Sequence, residues 1–306
     1  MFSGIEAFNS GFLADVNQIE TRISRDNQQL SSGIRVSQAS DDPSAVSSII
    51  GYQAEIDRVT QIQNNLDSAK TVSSAADSAL QSASALLDQL VSIGAQGANG
   101  SATPATQANL ASQVQQIGQQ LVSLANTSVQ GRYIFGGDAP TTQPYTFNWA
   151  VPKGVVQNSN AGSTGVLRDA SGDEIVPGMT AQQIFDVQNP PGTSTTGNVF
   201  QAVYDLGTAL QANNQANIST ATAEVKAAVT QLGQATTTYG NTENWIQNAS
   251  SDASQRLVSL QQSLSSVRDA DIASVATQLT TDQTALQAAL QAHASNPNKS
   301  LFSYLA

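Results

Sequence analysis

The sequence offers few side chains that could perform chemistry. His293 is the single histidine, and no cysteine is present, which excludes disulfides, thiol chemistry and cysteine-based metal sites. His293 falls on the apolar stripe of a predicted helix, and no group of histidines, cysteines or carboxylates accompanies it. We therefore interpret His293 as a helix-packing residue, with a metal or acid–base role as the weaker alternative.

Two pairs of aspartates could act as catalytic carboxylates. They are Asp41 with Asp42, and Asp269 with Asp271. Helix capping explains both pairs more simply, because an aspartate at an N-cap accepts hydrogen bonds from the unpaired amides of the first turn. Pro43 follows the first pair and suits a first helical position, where no N–H is needed. The pairs therefore predict helix starts rather than catalysis.

Gly33 marks the end of the helix that precedes the first of these starts. It follows an apolar helical pattern, and glycine readily takes the positive φ of a helix C-terminal cap. A second boundary, at residues 267–272, cuts off a terminal segment of similar length, so we expect the two chain ends to lie side by side. We interpret six residues as caps of the linkers between domains: Gly33, Asp41, Asp42, Pro43, Asp269 and Asp271.

No cofactor motif is present. Residues 169–174 are acidic but lack the alternating ligand spacing of a calcium loop, and residues 169–173 are instead typical of a turn between strands. Residues 135–137 match no phosphate-binding glycine pattern. We expect neither a metal nor a cofactor, and no enzyme activity.

Composition excludes further classes of function. The chain has 306 residues, 23 acidic and 12 basic, and a net charge of −11, which argues against nucleic acid and anionic membrane surfaces. No apolar run approaches the ~20 residues that cross a bilayer, and the first residues lack the features of a secretory signal peptide. Only 11% of residues are charged, against ~25% in ordinary domains, which suits close packing of identical subunits.

Both ends of the sequence carry a narrow apolar stripe with helical spacing. Asp26 fills one polar position in the first stripe, and Asp282 fills one in the second. One apolar residue per turn is typical of a coiled-coil seam rather than of a globular core. We predict that the two stripes pair and carry assembly through Phe8, Phe12, Val16, Ile19, Ile23, Leu30, Ile272, Val275, Leu279 and Leu286.

Each stripe is too thin to hold its helix in place alone. Burial stabilises a fold by about 25 cal/mol per Å² of apolar surface, whereas ordering the backbone costs ~1–2 kcal/mol per residue. We expect the terminal helices to be disordered or fluctuating in the free subunit and to fold on packing against neighbours. Contacts between copies that do not close into a ring would then generate a helical filament.

The rest of the sequence predicts helices around one insertion. Helical spacing begins at Pro43 and breaks at the glycines of residues 94–100; it resumes after Pro104 and ends near Gly131. Residues 132–197 are rich in Gly, Pro and Thr, with short strand-like pieces. Helical spacing then returns at residues 199–210 and 218–264.

The predicted fold is therefore mainly α. We expect a long antiparallel helical rod with coiled-coil pairing of the N- and C-terminal helices, plus a small β-rich inserted domain. The predicted domains are residues 1–42 with 267–306, residues 43–131 with 198–266, and residues 132–197.

Two stretches carry a resemblance to a known family. LSSGIRVSQASDDPSAVSSI resembles the N-terminal signature of the bacterial flagellin family, and VRDADIASVATQLT resembles the C-terminal one. Residues 96–100 are similar to a further flagellin stretch. Residues 132–137 are more like the family member that joins the flagellar hook to the filament.

The resemblance implies a structural subunit of the flagellum, found outside the cell and exported by the flagellar type III system without a cleaved signal. Its implied partners are copies of itself, other axial proteins (hook-associated proteins and flagellin), an export chaperone and the type III export apparatus. The C-terminal residues Leu301, Phe302, Tyr304 and Leu305 resemble the family's C-terminal end, which also serves secretion chaperones.

Three interpretations of function remain open at this point. A junction subunit is favoured by residues 132–137 and by the helix at residues 199–210. Flagellin itself, the main filament subunit, is favoured by residues 96–100 and the terminal signatures. A secreted coiled-coil adaptor or translocator that does not polymerise would also suit the paired stripes.

Overall fold

The fold is mainly helical. A computed structural model describes residues 2–188 and 197–295, with only the helical backbone for residues 2–9. The helices in those ranges are α1 (Phe2–Ser32), α2 (Pro43–Gly97), α3 (Pro104–Ala125), α4 (Ala181–Phe185), α5 (Val199–Gln211), α6 (Gln215–Arg268) and α7 (Ile272–Ser295). This confirms the predicted fold class.

The described strands form three separate antiparallel pairs, all between α3 and α4. They are β1 (Ser128–Val129) with β2 (Arg132–Tyr133), β3 (Tyr145–Phe147) with β4 (Val155–Gln157), and β5 (Leu167–Arg168) with β6 (Glu174–Ile175). The turn predicted at residues 169–173 connects β5 to β6. Asp169 organises it, because its carboxylate accepts hydrogen bonds from the amides of Ser171 and Asp173.

One predicted helix boundary is confirmed and another is wrong. The second helix ends at Gly97, inside the predicted break at residues 94–100. Gly94 lies within the helix and allows close packing, because a Cβ there would collide with the hydroxyl of Thr222 on α6. The third helix ends at Ala125 rather than near Gly131. The next residue, Asn126, hydrogen-bonds both backbone groups of Tyr145 through its side-chain amide, so the chain leaves the helix there.

The chain packs as two compact units. We call residues 59–256 the central unit and residues 1–58 with 257–306 the terminal unit. The division into three domains is a different way of dividing the chain, and it remains a prediction.

The central unit has an extensive core. Leucines, valines, isoleucines and alanines of α2, α3, α5 and α6 pack together, and the largest fully buried side chains are aromatic. Phe200 of α5 stacks on Phe185 with ring centroids 5.8 Å apart and meets Tyr145 edge-on at 4.9 Å. Phe135 meets Phe185 at 5.8 Å. These rings join α5 to the β-rich insertion.

Trp149 also fastens the insertion to the helices. Its indole lies in a slot formed by Gly118 of α3, Gly207 of α5 and Gly154. A Cβ at Gly207 would lie 2.5 Å from the indole, so only glycine leaves room for it. In both places aromatic side chains pack the insertion against the helices, so the insertion shares the core of the central unit.

Candidate assembly surface

Helices α1 and α7 of the terminal unit pack against each other in antiparallel directions. Two contacts define the pairing. Arg22 contacts Asp282 through two hydrogen bonds, and Phe12 stacks on His293 with ring centroids 4.0 Å apart and planes 7° apart. The structure therefore brings together the two stripes of the sequence, and it places His293 against an aromatic ring.

The apolar residues of this seam are only half-buried. This holds for Phe12, Val16, Ile19, Ile23, Leu30, Val275, Leu279 and Leu286. Ile272 begins α7 and is 47% exposed. Phe8 lies in α1, but its side chain is outside the described residues, as are the C-terminal residues Leu301, Phe302, Tyr304 and Leu305.

The terminal unit has almost no core among its described side chains. Val36, Ala45 and Leu264 are its buried hydrophobic residues. Several large apolar side chains are instead exposed: Leu13, Ile50, Val258, Ile272 and Leu290. A unit with so little apolar burial gains little from folding on its own, and its half-covered surface is of the kind that marks a protein contact.

The linkers at the two boundaries of the sequence meet. Gly33 takes a φ of +71° at the end of α1, as its predicted capping role requires. Its carbonyl accepts a hydrogen bond of 2.9 Å from the amide of Ala270, while the amide of Arg35 donates to Arg268 at 2.8 Å. Ile34 and Asp269 are paired as an antiparallel bridge. The backbone after α1 is thus bound to the backbone before α7.

Asp41 and Asp42 are occupied in local structure. Asp42 lies directly before Pro43, the first residue of α2, and its Oδ1 accepts from the amide of Ala45 at 3.2 Å. Hydrogen bonds from the Ser44 hydroxyl, then from Arg35, lower the pKa of Asp42 to about 2. Hydrogen bonds from the backbone of the preceding loop lower the pKa of Asp41. Both carboxylates accept hydrogen bonds from the linker and from the first turn of α2.

Asp269 and Asp271 have a similar arrangement at the start of α7. Asp271 accepts hydrogen bonds from the amides of Ala273 and Ser274 at 3.0 and 3.2 Å, which is N-cap geometry. Hydrogen bonds from Ser265, then from Arg268, lower the pKa of Asp269. The second aspartate pair therefore lies in the hydrogen-bonded connection between α6 and α7.

Arg35 is a residue that sequence reasoning missed. Its guanidinium donates to the carbonyl of Val267 at 2.6 Å and to Asp42 at 3.0 Å. One side chain therefore bridges the first linker, the start of α2 and the end of α6. Its only signal in the sequence was an arginine inside a mostly polar linker, which does not identify a partner more than 200 residues away.

Within residues 2–188 and 197–295, no group of three or more histidine, cysteine, aspartate or glutamate side chains could hold a metal ion. In the same ranges, none of the helices combines the length and hydropathy of a membrane span.

Acid is expected to remove the fluctuating helical structure of the terminal unit before it affects the central unit. The described aspartates with a lowered pKa, namely Asp41, Asp42, Asp269 and Asp282, all lie in the terminal unit. Because their folded-state pKa values lie below the unfolded value, their contribution is present above about pH 4 and is lost as pH falls through the folded values. Both tryptophans, Trp149 and Trp245, lie in the central unit. Helical circular dichroism should therefore decrease at a higher pH than tryptophan fluorescence changes; coincident transitions would contradict this.

Two family models match the chain. The bacterial flagellin N-terminal helical region matches residues 9–139, and the bacterial flagellin C-terminal helical region matches residues 222–305. The matches include most of α1 and α6, all of α2 and α7, and the linkers. The described residues of the two chain ends therefore lie within the matched regions, except for the first residues of α1.

Individual relatives agree with the family models. The chain is 28% identical over 297 residues to flagellar hook-associated protein 3 of Escherichia coli, covering 90% of each chain. It shares its fold with a flagellar hook-associated protein 3 of Legionella pneumophila (TM-score 0.62, 15% identity, 72% of this chain and 98% of that chain). The flagellar junction protein FlgL of the same organism also matches (TM-score 0.56, 15% identity, 72% and 100%).

Proposed function

The chain belongs to the bacterial flagellin family, and from this premise we propose that it is a structural subunit of the flagellum at the hook–filament junction. It associates through its terminal unit and performs no catalysis. Its partners are copies of itself and other axial proteins, namely hook-associated proteins and flagellin.

The observation that carries this proposal is the incomplete burial of the terminal unit. Its helices are long and regular, yet their apolar side chains are half-covered, and among the described side chains of the unit only a few hydrophobic residues are buried. In contrast, the central unit buries large aromatic and aliphatic side chains completely. The central unit therefore has a complete core by itself, whereas the terminal unit leaves apolar surface exposed. Contacts with neighbouring subunits would bury that surface.

The junction position rests on the named relatives. The E. coli protein, matched over 90% of both chains, is flagellar hook-associated protein 3, and this agrees with the resemblance of residues 132–137. Flagellin remains the second candidate, because both family models carry its name and residues 96–100 resemble it. The two candidates differ in copy number: one short ring at the hook for a junction subunit, and a whole filament for flagellin.

Export completes the proposal. The chain leaves the cell through the flagellar type III system without a cleaved signal and is bound beforehand by a chaperone. Leu301, Phe302, Tyr304 and Leu305 are the residues that we assign to chaperone binding and export. The low charge content and the fluctuating ends expected for the free chain suit passage through a narrow channel in an unfolded state.

Immunogold electron microscopy of intact flagella tests the assignment. Antibodies against the central unit are expected to label one short zone where the hook meets the filament. Labelling along the entire filament would support flagellin instead. Flagella that carry no label, together with purified chain that does not add to hook or filament seeds, would contradict a flagellar role and favour a secreted adaptor.

A further inference from the structure

The apolar pattern of α1 and α7 does not by itself define how the two helices align. In α7 the seam positions Val275, Asp282 and Ala289 recur every seven residues, as do Ile272, Leu279 and Leu286. In α1 the seam positions Val16, Ile23 and Leu30 recur in the same way. A shift of one helix by seven residues would therefore still place most apolar residues opposite apolar residues.

The pair of Arg22 and Asp282 removes this ambiguity. Asp282 is 3% exposed. Both oxygens of its carboxylate accept hydrogen bonds from the guanidinium of Arg22, with an Nε–Oδ2 distance of 3.0 Å and an Nη2–Oδ1 distance of 3.2 Å. Such a bidentate salt bridge forms only when the guanidinium and the carboxylate face each other in one relative orientation. After a shift of seven residues the position of Arg22 would be taken by Asp15, which repels a carboxylate, or by Gln29, which is uncharged.

A shift in register would be energetically unfavourable mainly because of Asp282 rather than Arg22. Arg22 would still have Asp26, four residues along its own helix, whose charge also contributes to the raised pKa of Arg22 after the hydrogen bonds to Asp282. Asp282 would remain buried on the seam without the guanidinium that hydrogen-bonds both of its oxygens, and a buried carboxylate that loses its hydrogen-bonded cation is strongly unfavourable. Asp26 is also 3% exposed, and its Oδ2 accepts no hydrogen bond within the described part of the chain. Because burial of this oxygen is not compensated, Arg22, Asp26 and Asp282 together contribute little net stability.

We propose that the Arg22–Asp282 pair determines the register of α1 on α7, so that every copy of the chain presents the same terminal surface. The contact lies within one chain: the fluctuating ends of the free chain pair transiently, and the Arg22–Asp282 pair selects the alignment that they adopt whenever they pair. Its importance for regular association rests on the proposed function. Buried polar groups at coiled-coil seams are well suited to this role, since they select one alignment at a cost in stability.

Disulfide trapping in the full-length chain reports the register, because the natural sequence has no cysteine. Phe12→Cys with His293→Cys reports the observed register, since their rings are 4.0 Å apart. Phe12→Cys with Leu286→Cys, and Ile19→Cys with His293→Cys, report shifts of one heptad in either direction. After mild oxidation, intrachain disulfides are quantified by mass spectrometry in the monomer band of a non-reducing gel.

The observed-register reporter is expected to form at least ~10-fold more disulfide than either shifted reporter. Asp282→Leu, or the isosteric Asp282→Asn, should reduce this ratio at least about fivefold. Arg22→Asp alone should do the same, and Arg22→Asp combined with Asp282→Arg should restore the ratio. Arg58→Asp, which removes an exposed arginine of α2, serves as the control and should leave it unchanged.

A purely stabilising role makes a different prediction. Loss of the pair would then lower all three disulfide yields together and leave their ratio intact, which would overturn the proposal. Failure of the charge exchange to restore the ratio would also overturn it. Sedimentation of the unmodified chain provides a separate readout: absence of association would count against the proposed function, whereas the register ratio is measured within one chain and does not depend on it.

Discussion

Ile23→Asp is expected to prevent the chain from entering assemblies while leaving its central unit folded. Ile23 lies half-buried on the seam of α1, and association is expected to bury it further. A carboxylate at this position would then lose its water without gaining a partner, at a cost of about 2 kcal/mol or more for each copy. This corresponds to at least a ~30-fold weaker association. Leu279→Asp, on the facing helix, should have the same effect.

Sedimentation and seeded growth measure the loss of association, and tryptophan fluorescence measures the integrity of the central unit, which contains both tryptophans. Asn27→Asp is a matched control, because it adds the same charge to the exposed face of α1. It should associate almost as well as the unmodified chain. If Ile23→Asp or Leu279→Asp assembled normally, the assignment of the seam as the assembly surface would be wrong.

Phe200→Ala is expected to have the opposite pattern, with a large loss of stability in the central unit. Phe200 is 2% exposed and packs against Phe185 and Tyr145. Removing its ring leaves a cavity where the insertion meets α5, and such truncations cost roughly 3–5 kcal/mol. The midpoint of denaturant unfolding, followed by tryptophan fluorescence, should fall accordingly.

Tyr204→Ala is the control for this variant. Tyr204 lies on the same helix and contacts Trp149 with ring centroids 5.3 Å apart, but it is only partly buried. Its truncation should cost clearly less than that of Phe200. Equal losses for the two variants would show that burial of Phe200 does not dominate this contact. Under conditions where the central unit stays folded, neither variant should prevent association, because both residues lie outside the terminal unit.

The helical periodicity of the sequence was sufficient to predict the longer helices and the mainly α fold, but it did not predict the five-residue α4 within the insertion. Amphipathic stripes and capping residues are local signals, and Gly33, Asp42 and Pro43 occupy the backbone positions that their residue types favour. The wrong boundary has a tertiary cause: α3 ends early because Asn126 hydrogen-bonds the backbone of Tyr145.

The terminal surface was less predictable than the helices that build it. The sequence showed that Asp26 and Asp282 lie on the seam, but it did not show that Arg22 joins Asp282. Nor did it show that Arg35 connects two linkers. Such contacts join residues more than 200 positions apart, and a local pattern carries no signal for them.

The central claim is that the terminal unit acquires a stable core only when copies associate. Hydrogen–deuterium exchange with mass spectrometry tests it most directly, on the full chain in dilute solution and again in assembled particles. The amides of residues 5–30 and 272–295 are expected to exchange with little protection in the free chain and to become strongly protected on assembly, while α3 and α5 are protected in both states. Strong protection of residues 5–30 in the dilute chain would contradict the claim.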